Sequence, residues 1–367
     1  MADSIECGPA HRLPPVRFAF QPLPALTFSQ RMLTLVVPGL IWPRQALADL
    51  SCDLPLPAFS LLLGRGRLNP AAAADAEGLL ATELGADLPV PAAALRRLAF
   101  GRARDDADWL CLDPVRLRFE ERSMVLDDPA QLALDDAEAE ALAVSLAPTF
   151  ESLGDIDSLA PQCWNLRLRK PAPAFAALQA GIGRAAAPLP AHADYRPWRQ
   201  ALNEAQMVLH AHPVNLAREA AGRPTVNSLW PWGGGRPQGT GRGRHDQLWA
   251  ADPVPLGLAA WQGIAQRPLP ARFEPEAGRA TLALFDALAA PARLGDALAW
   301  RDALVRLDAD WLAPALAALR AGRLGRLRLL APGEHNSVEL NVARGELWKF
   351  WRKPRPLAEA FAAKAAK

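Results

Sequence analysis

Short apolar runs broken by proline or glycine alternate along this chain with stretches of helical periodicity. Met32-Leu33-Thr34-Leu35-Val36-Val37 is apolar and rich in branched side chains, and it stops at Pro38-Gly39, which predicts a buried strand feeding a turn. Trp109-Leu110-Cys111-Leu112, ended by Asp113-Pro114, predicts a second, with a hairpin after it whose arms are 115–119 and 123–126. Strands are also expected at 164–169 with one wet side, at 226–230, at 281–286, and near the end at 327–330, 338–342 and 347–351. In the last of these the aromatics should pack in the core. Between them, 58–63 reads as a short helix closed by Gly64, and Asp135 with Glu138 three residues on is a capping box opening a helix with Leu142 and Leu146 on one face. Helices follow at 198–212 and from Pro213 to Gly222. The clearest amphipathic segment is 296–320, with Trp300, Leu304, Leu307 and Trp311 on one stripe, Arg301, Asp302, Asp308 and Asp310 turned away, and a bend at Pro314. Strands alternating with helices predict an α/β fold, a mostly parallel central sheet flanked by helices.

The Ala/Pro/Gly-rich stretch 171–195 is the candidate linker between an N-terminal α/β part (1–170, with the hairpin) and a C-terminal α/β part (196–367), unless the two form a single domain. The opening 30 residues are proline-rich and read as extended.

Composition narrows the classes. Half of the 367 residues are hydrophobic and 22% are charged, which excludes a disordered or fibrous chain. Basic and acidic residues nearly balance at a net +2, so there is no nucleic-acid signal and no membrane footprint. The excess of arginine over lysine, 36 to 5, reads as coding bias. Cys7, Cys52, Cys111 and Cys163 stand singly, without metal or redox spacing. With no leader pattern around Asp3, Glu6 and Pro14-Pro15, and no apolar run near the roughly 20 residues of a membrane helix, a cytoplasmic setting is expected.

The densest polar block runs from Asn203 to Gly235. Asn203, Gln206 and His210 form a polar stripe on one helix face. Asn215 falls in the first turn of the helix opened by Pro213, where free backbone N–H groups favour an anion, and Arg218 lies one turn on. Asn227, Ser228 and the run Gly233-Gly234-Gly235 follow, the glycines letting a ligand approach the backbone. These residue types suit a phosphorylated small molecule. They equally suit helix capping and a buried polar network that locks the 203–222 helices onto the strand after them. Arg236, Arg242 and Arg244 near the glycines do not complete a phosphate-binding loop, because no Gly-Lys-Ser/Thr follows.

The string Asn-Glu-x-Gln-Met-x-Leu-His-x-His-Pro-Val-Asn-x-x-Arg-Glu, starting at Asn203, then Val226-Asn227-Ser228-Leu229-Trp230-x-Trp232-Gly233-Gly234-Gly235, resembles the RpfE-type bacterial regulatory proteins. Leu35–Leu40, Asp113-Pro114-Val115 and Leu347–Arg352 carry the same resemblance over most of the chain. The central string is also similar to archaeal-type cofactor-independent phosphoglycerate mutases of the alkaline-phosphatase superfamily. That similarity implies a reduced alkaline-phosphatase-like core and, in an active member, two divalent metals. Where such enzymes end their first strand in a metal-binding Asp, this chain has Pro38. Asp286 corresponds to a later carboxylate but lacks a following histidine, and Glu334-His335 echoes the last metal station.

The resemblance therefore implies a non-catalytic or degenerate phosphoglycerate-mutase-like protein with a regulatory or ligand-binding role. It would need no cofactor and would act on a phosphorylated small molecule or a protein partner. The alternative is an active manganese- or magnesium-dependent phosphomutase or phosphohydrolase rebuilt around Asp286, Glu334 and His335. A third route is interaction through the Trp/Arg-rich segment 348–355.

Overall fold

A computed structural model describes residues 31–238, 241, 243–276 and 278–363; the proline-rich opening, Cys7, Gly239 and Arg242 lie outside them. Strand Met32–Val36 sits in the middle of a seven-stranded sheet, parallel to Thr281–Leu284 on one side and to Arg326–Ala331 on the other. Gln247–Ala250 and Ala265–Pro268 extend the parallel array beyond Thr281–Leu284. On the far side Ser337–Ala343 and Arg67–Ala71 add two antiparallel strands. The expected α/β class and mostly parallel central sheet are what the chain adopts. Strands buried on both faces need apolar side chains in both directions, which is why Met32–Val36 shows a run instead of an alternation. Leu33 and Leu35 point to one core, and Val36 to the other.

The first face is covered by the segment 297–320. Trp300, Leu304, Leu307 and Trp311 are all buried, as the stripe requires. The segment is interrupted, however: helices Ala297–Arg306 and Ala313–Arg320 flank a wider π turn at Leu307–Leu312. Asp308, expected to face solvent, is buried there. Its carboxylate accepts from the backbone N–H of Phe59 (2.6 Å) and of Ala58 (3.4 Å). Helix Pro57–Arg65 begins after Leu56, which has no oxygen with which to cap it, so a carboxylate 250 residues away performs the capping. That helix also runs on through Gly64, which was expected to close it.

The second face is covered by helices Ala76–Leu84, Ala92–Ala99 and Pro253–Trp261 and by a smaller sheet. Gly257 allows two of these helices to touch, because a Cβ there would fall 1.9 Å from the carbonyl oxygen of Leu95. The smaller sheet is antiparallel, in the order Gly154–Ala160, Cys163–Leu168, Trp109–Val115, Ser228–Gly235. Its strands pass through Asp113-Pro114 and through Gly233–Gly235, where the sequence predicts a stop and a loop. Its other face packs on helices Asp136–Phe150, which has the capping box, and Arg196–His210. Within 171–195, Leu178 and Ile182 are buried in the core between the two sheets.

The segment 347–351 is not a strand. Arg344–Trp348 forms a 3-10 turn, and Trp348, Phe350 and Trp351 are exposed, in contrast to the expected core packing. No helix among the described residues is long and apolar enough to cross a membrane.

Replacing Asp308 by Ala should leave two N–H groups without acceptors and lower stability by about 1–3 kcal/mol, with Asp308→Asn losing less because its amide oxygen still accepts. Urea unfolding midpoints check both; equal losses in the two variants would show that the capping oxygen is not the source.

Candidate functional site at the carboxyl edge of the large sheet

In open parallel sheets ligands bind in the crevice at the carboxyl ends of the strands. Four neighbouring strands end together here. Continuing their register past the last ladder pairs, by two residues to Asp286, Pro38 and Pro332 and by three to Asp252, aligns Asp252, Asp286, Pro38 and Pro332 in one row. The backbone bonds Phe285 N–H to Val36 O and Val37 N–H to Leu330 O, both 2.9 Å, carry the pairing into this row. Gly39 then turns with φ +83°, and glycine is required there twice over, because the carbonyl oxygen of Leu288 also lies 2.4 Å from where a Cβ would be.

The two carboxylates behave differently from exposed ones. Burial pushes the Asp286 carboxyl above the usual range, and the neighbouring Asp252 adds to the shift. Burial raises Asp252 as well, against the opposing effects of the Val254 N–H and Arg96. Asp252 is already engaged: it caps helix Pro253–Trp261 by accepting from Val254 N–H at 2.8 Å.

Two guanidinium groups converge on the same edge. Arg184 pairs with Glu334, just past the end of strand Arg326–Ala331. Arg293 donates to Gln179 at 2.9 Å, and burial, together with the positive charge of Arg184, lowers its pKa. His335 is exposed. Sequence reasoning missed Arg184 and Arg293, because they are more than a hundred residues apart in an arginine-rich chain and no local pattern marks either.

Beneath this edge lies a buried charged pair. Asp113, fully buried, takes Nη1 of Arg96 on both carboxylate oxygens (2.7 and 2.8 Å), the Trp232 indole N–H at 2.7 Å and the Trp164 backbone N–H at 3.2 Å. Burial opposes the charge on Arg96, but Asp113 outweighs it and holds the guanidinium protonated. Cys111 and Cys163 lie nearby. Burial pushes both thiols up, Cys163 to about 11, so neither supplies a thiolate at neutral pH.

The polar block from Asn203 to Gly235 divides in two. Asn215 is spent on the scaffold, donating to Leu209 O (2.7 Å) and Val226 O (2.6 Å) and accepting from Val226 N–H (2.9 Å). Arg218 is buried and donates to Glu138 (2.6 Å), Pro224 O (2.7 Å) and Leu132 O. Asn227 closes a two-way bridge to the backbone of Leu117, 2.8 Å each way. Gly233 packs against Ala92, whose Cβ is 2.6 Å from where its own would lie, and Gly234 and Gly235 continue the same strand. Asn203, Gln206 and His210 remain exposed. Gln206 reaches Ser228 only at 3.5 Å, and with His210 it lines an open groove of about 360 Å³. A larger groove, about 680 Å³, opens on Arg244, Arg326 and Arg328; Arg328 is already held between Glu83 (3.0 Å) and Glu339 (2.8 Å).

No family model matches the chain, and neither does any curated protein. Solved structures do resemble it. A cofactor-independent phosphoglycerate mutase from Thermoplasma acidophilum DSM 1728 is 15% identical, covers 92% of this chain and 96% of its own, and superposes with a TM-score of 0.48. A protein from Pyrococcus horikoshii is 12% identical, covers 91% of this chain and 93% of its own, and reaches 0.51, which shows a shared fold along nearly the whole length.

The raised pKa of Asp286 has a testable consequence. The folded state holds this proton to a higher pH than the unfolded chain, whose carboxyl titrates near the ordinary 3.8. The associated stability is therefore present below that pH and is lost as pH rises through the folded value. Asp286→Asn carries no such loss, so it should match wild type at pH 3.5 and become progressively more stable than it toward pH 7, as read by denaturant unfolding at each pH. A variant less stable than wild type at pH 7 would mean that the carboxylate has a stabilising partner.

Proposed function

We propose that this chain is a degenerate phosphoglycerate-mutase-like protein of the RpfE type, which binds a phosphorylated small molecule at the carboxyl edge of its large sheet without turning it over. The observation that carries the reading is the row at the strand ends. Its central strand closes with Pro38, which has no ligand atom, beside Asp286 and the already engaged Asp252.

A two-metal phosphotransfer site needs several carboxylates and imidazoles converging on one point. Among the described residues no three such side chains do so. The residues at this edge therefore do not fit a pair of divalent metals, and no step through them is derived. What the edge does offer is Arg184 and Arg293, which can share an anion in forked hydrogen bonds. Glu334 holds Arg184 until a phosphate or carboxylate displaces it. In this reading Asn215, Arg218 and Asn227 keep the second sheet's helices in place, and the resemblance in that block records the scaffold.

Purified protein with manganese, 3-phosphoglycerate and p-nitrophenyl phosphate should give no turnover. The same 3-phosphoglycerate should raise the melting temperature, and its binding should weaken at least about tenfold in Arg293→Gln and in Arg184→Ala, the loss of a charged hydrogen bond. Metal-dependent turnover abolished by His335→Ala would instead establish an active phosphomutase or phosphohydrolase. Absence of any ligand-induced stabilisation would remove the binding role.

A further inference from the structure

Three of the most exposed large apolar side chains fall within four residues. Trp348, Phe350 and Trp351 are 76%, 79% and 68% exposed, whereas most of the chain's other tryptophans are buried or partly buried. The turn that carries them is pinned at both ends. Glu346 accepts from the Ala343 N–H at 3.0 Å, from Arg67 at 2.8 Å and from Lys349 at 3.3 Å. The carbonyl of Lys353 presses on Gly64, where a Cβ would lie 2.1 Å away, and Arg355 N–H bonds Ser60 O at 3.0 Å. Leu357 and Phe361 then return to the core. Within the turn, Phe350 N–H bonds Trp348 O at 2.8 Å and Arg352 N–H bonds Lys349 O at 2.9 Å. The aromatics are thus displayed by a fixed support.

The charge around them is predominantly positive. From 344 to 359 there are five basic residues and two carboxylates, and both carboxylates are engaged, Glu346 as above and Glu359 with Arg355 at 3.2 Å. Arg344, Arg352 and Lys353 are exposed and have no ion-pair partner among the described residues. Two indoles and a phenyl ring rimmed by unpaired cations match the boundary of an anionic bilayer. Indole rings settle there at headgroup depth, and each nearby Lys or Arg gains about 1 kcal/mol from the surface potential. Phe350 and Trp351 meet edge to face (5.4 Å, 80°), forming a wedge; parallel faces, as a stack of nucleobases requires, are not presented.

We propose that the turn Trp348–Lys353 docks the protein peripherally on anionic membrane surfaces. The short apolar tip would insert to headgroup depth while Arg344, Arg352 and Lys353 meet lipid phosphates. The expectation of no membrane contact rested on the near-balanced overall charge and on the lack of an apolar run long enough to span a bilayer.

The test is flotation of the full chain with vesicles of phosphatidylcholine alone or with 30 mol% phosphatidylglycerol. Binding is expected to the anionic vesicles only, and to fall as salt rises. Trp348→Ala/Phe350→Ala/Trp351→Ala should abolish it with an unchanged melting temperature, because the removed side chains are exposed. Arg352→Ala/Lys353→Ala should weaken it roughly 30-fold, the effect of two charges at about 1 kcal/mol each. The proposal is overturned by no binding to anionic vesicles at low salt, or by binding that the triple variant retains. It is equally overturned if no vesicle binding is seen and light scattering shows a dimer of the wild type that the triple variant lacks, which would assign the patch to a second copy of the chain.

Discussion

The buried carboxylate of Asp113 ties the two halves of the structure together. It sits on the strand Trp109–Val115 at the middle of the smaller sheet and bonds Arg96 from a helix, Trp232 from the next strand and the backbone of Trp164 from the other neighbour. An unpaired charge in this position would cost several kcal/mol, so the sheet, the helix Ala92–Ala99 and the tryptophan must arrive together. Arg96 also lies over the ring of Trp232, 4.7 Å from its centroid. The helix that supplies Arg96 is the one that crosses Pro253–Trp261 at Gly257. Through that crossing, the position of Asp113 fixes the helix whose cap is Asp252, and hence one corner of the carboxyl edge of the large sheet.

That connection bears on the acidic groups of the edge, where among the described residues no three His, Cys, Asp or Glu side chains come together. Asp252 is used for capping, and its proximity to Asp286 raises the cost of ionising the latter. With Pro38 between Asp286 and the last strand, no third ligand is supplied where the two would need it. The cationic side chains stand further along, at Arg184 and Arg293, so the edge is divided into an acidic end and a basic end. The proposed anion would meet the basic end of this edge.

How much of this was legible in the sequence depended on whether the signal was local. The strand Met32–Val36, the capping box at Asp135 and the stripe Trp300–Trp311 depend on side chains a few residues apart, and all three are present. Strands Arg67–Ala71 and Ala265–Pro268 were not legible: they lie at sheet edges, and Arg-Leu-Asn-Pro-Ala and Ala-Gln-Arg-Pro have neither apolar runs nor alternation. Gly233–Gly235 reads as a loop by composition, yet strand pairing with Trp109–Val115 overrides it, and Gly233 is needed where the strand meets the helix at Ala92. Asp308 fails for a related reason. Helical spacing places it on the wet face, but the π turn rotates it inward, toward a helix that has no cap of its own. In the candidate site, Asp286 and Glu334-His335 are picked out by their resemblance to the metal stations of phosphoglycerate mutases, whereas the arginines near Glu334 follow from three-dimensional proximity alone.

The last strand expected from sequence shows the same conflict resolved outward. Leu347-Trp348-Lys349-Phe350-Trp351 is a short, aromatic-rich apolar run that reads as a strand, but the strand it would join is already paired on both sides: Ser337–Ala343 pairs with Arg326–Ala331 on one side and Arg67–Ala71 on the other. With both edges of that strand occupied, the chain turns at Glu346, whose carboxylate caps the 3-10 turn, and Pro354 and Pro356 then prevent a return to regular pairing. The aromatic rings are left in water by topology. At roughly 25 cal/mol per Å² of apolar surface, rings of about 150–250 Å² each retain several kcal/mol of unrealised burial. A free energy of that size, held on a pinned turn and ringed by unpaired cations, is available only to something the protein meets from outside.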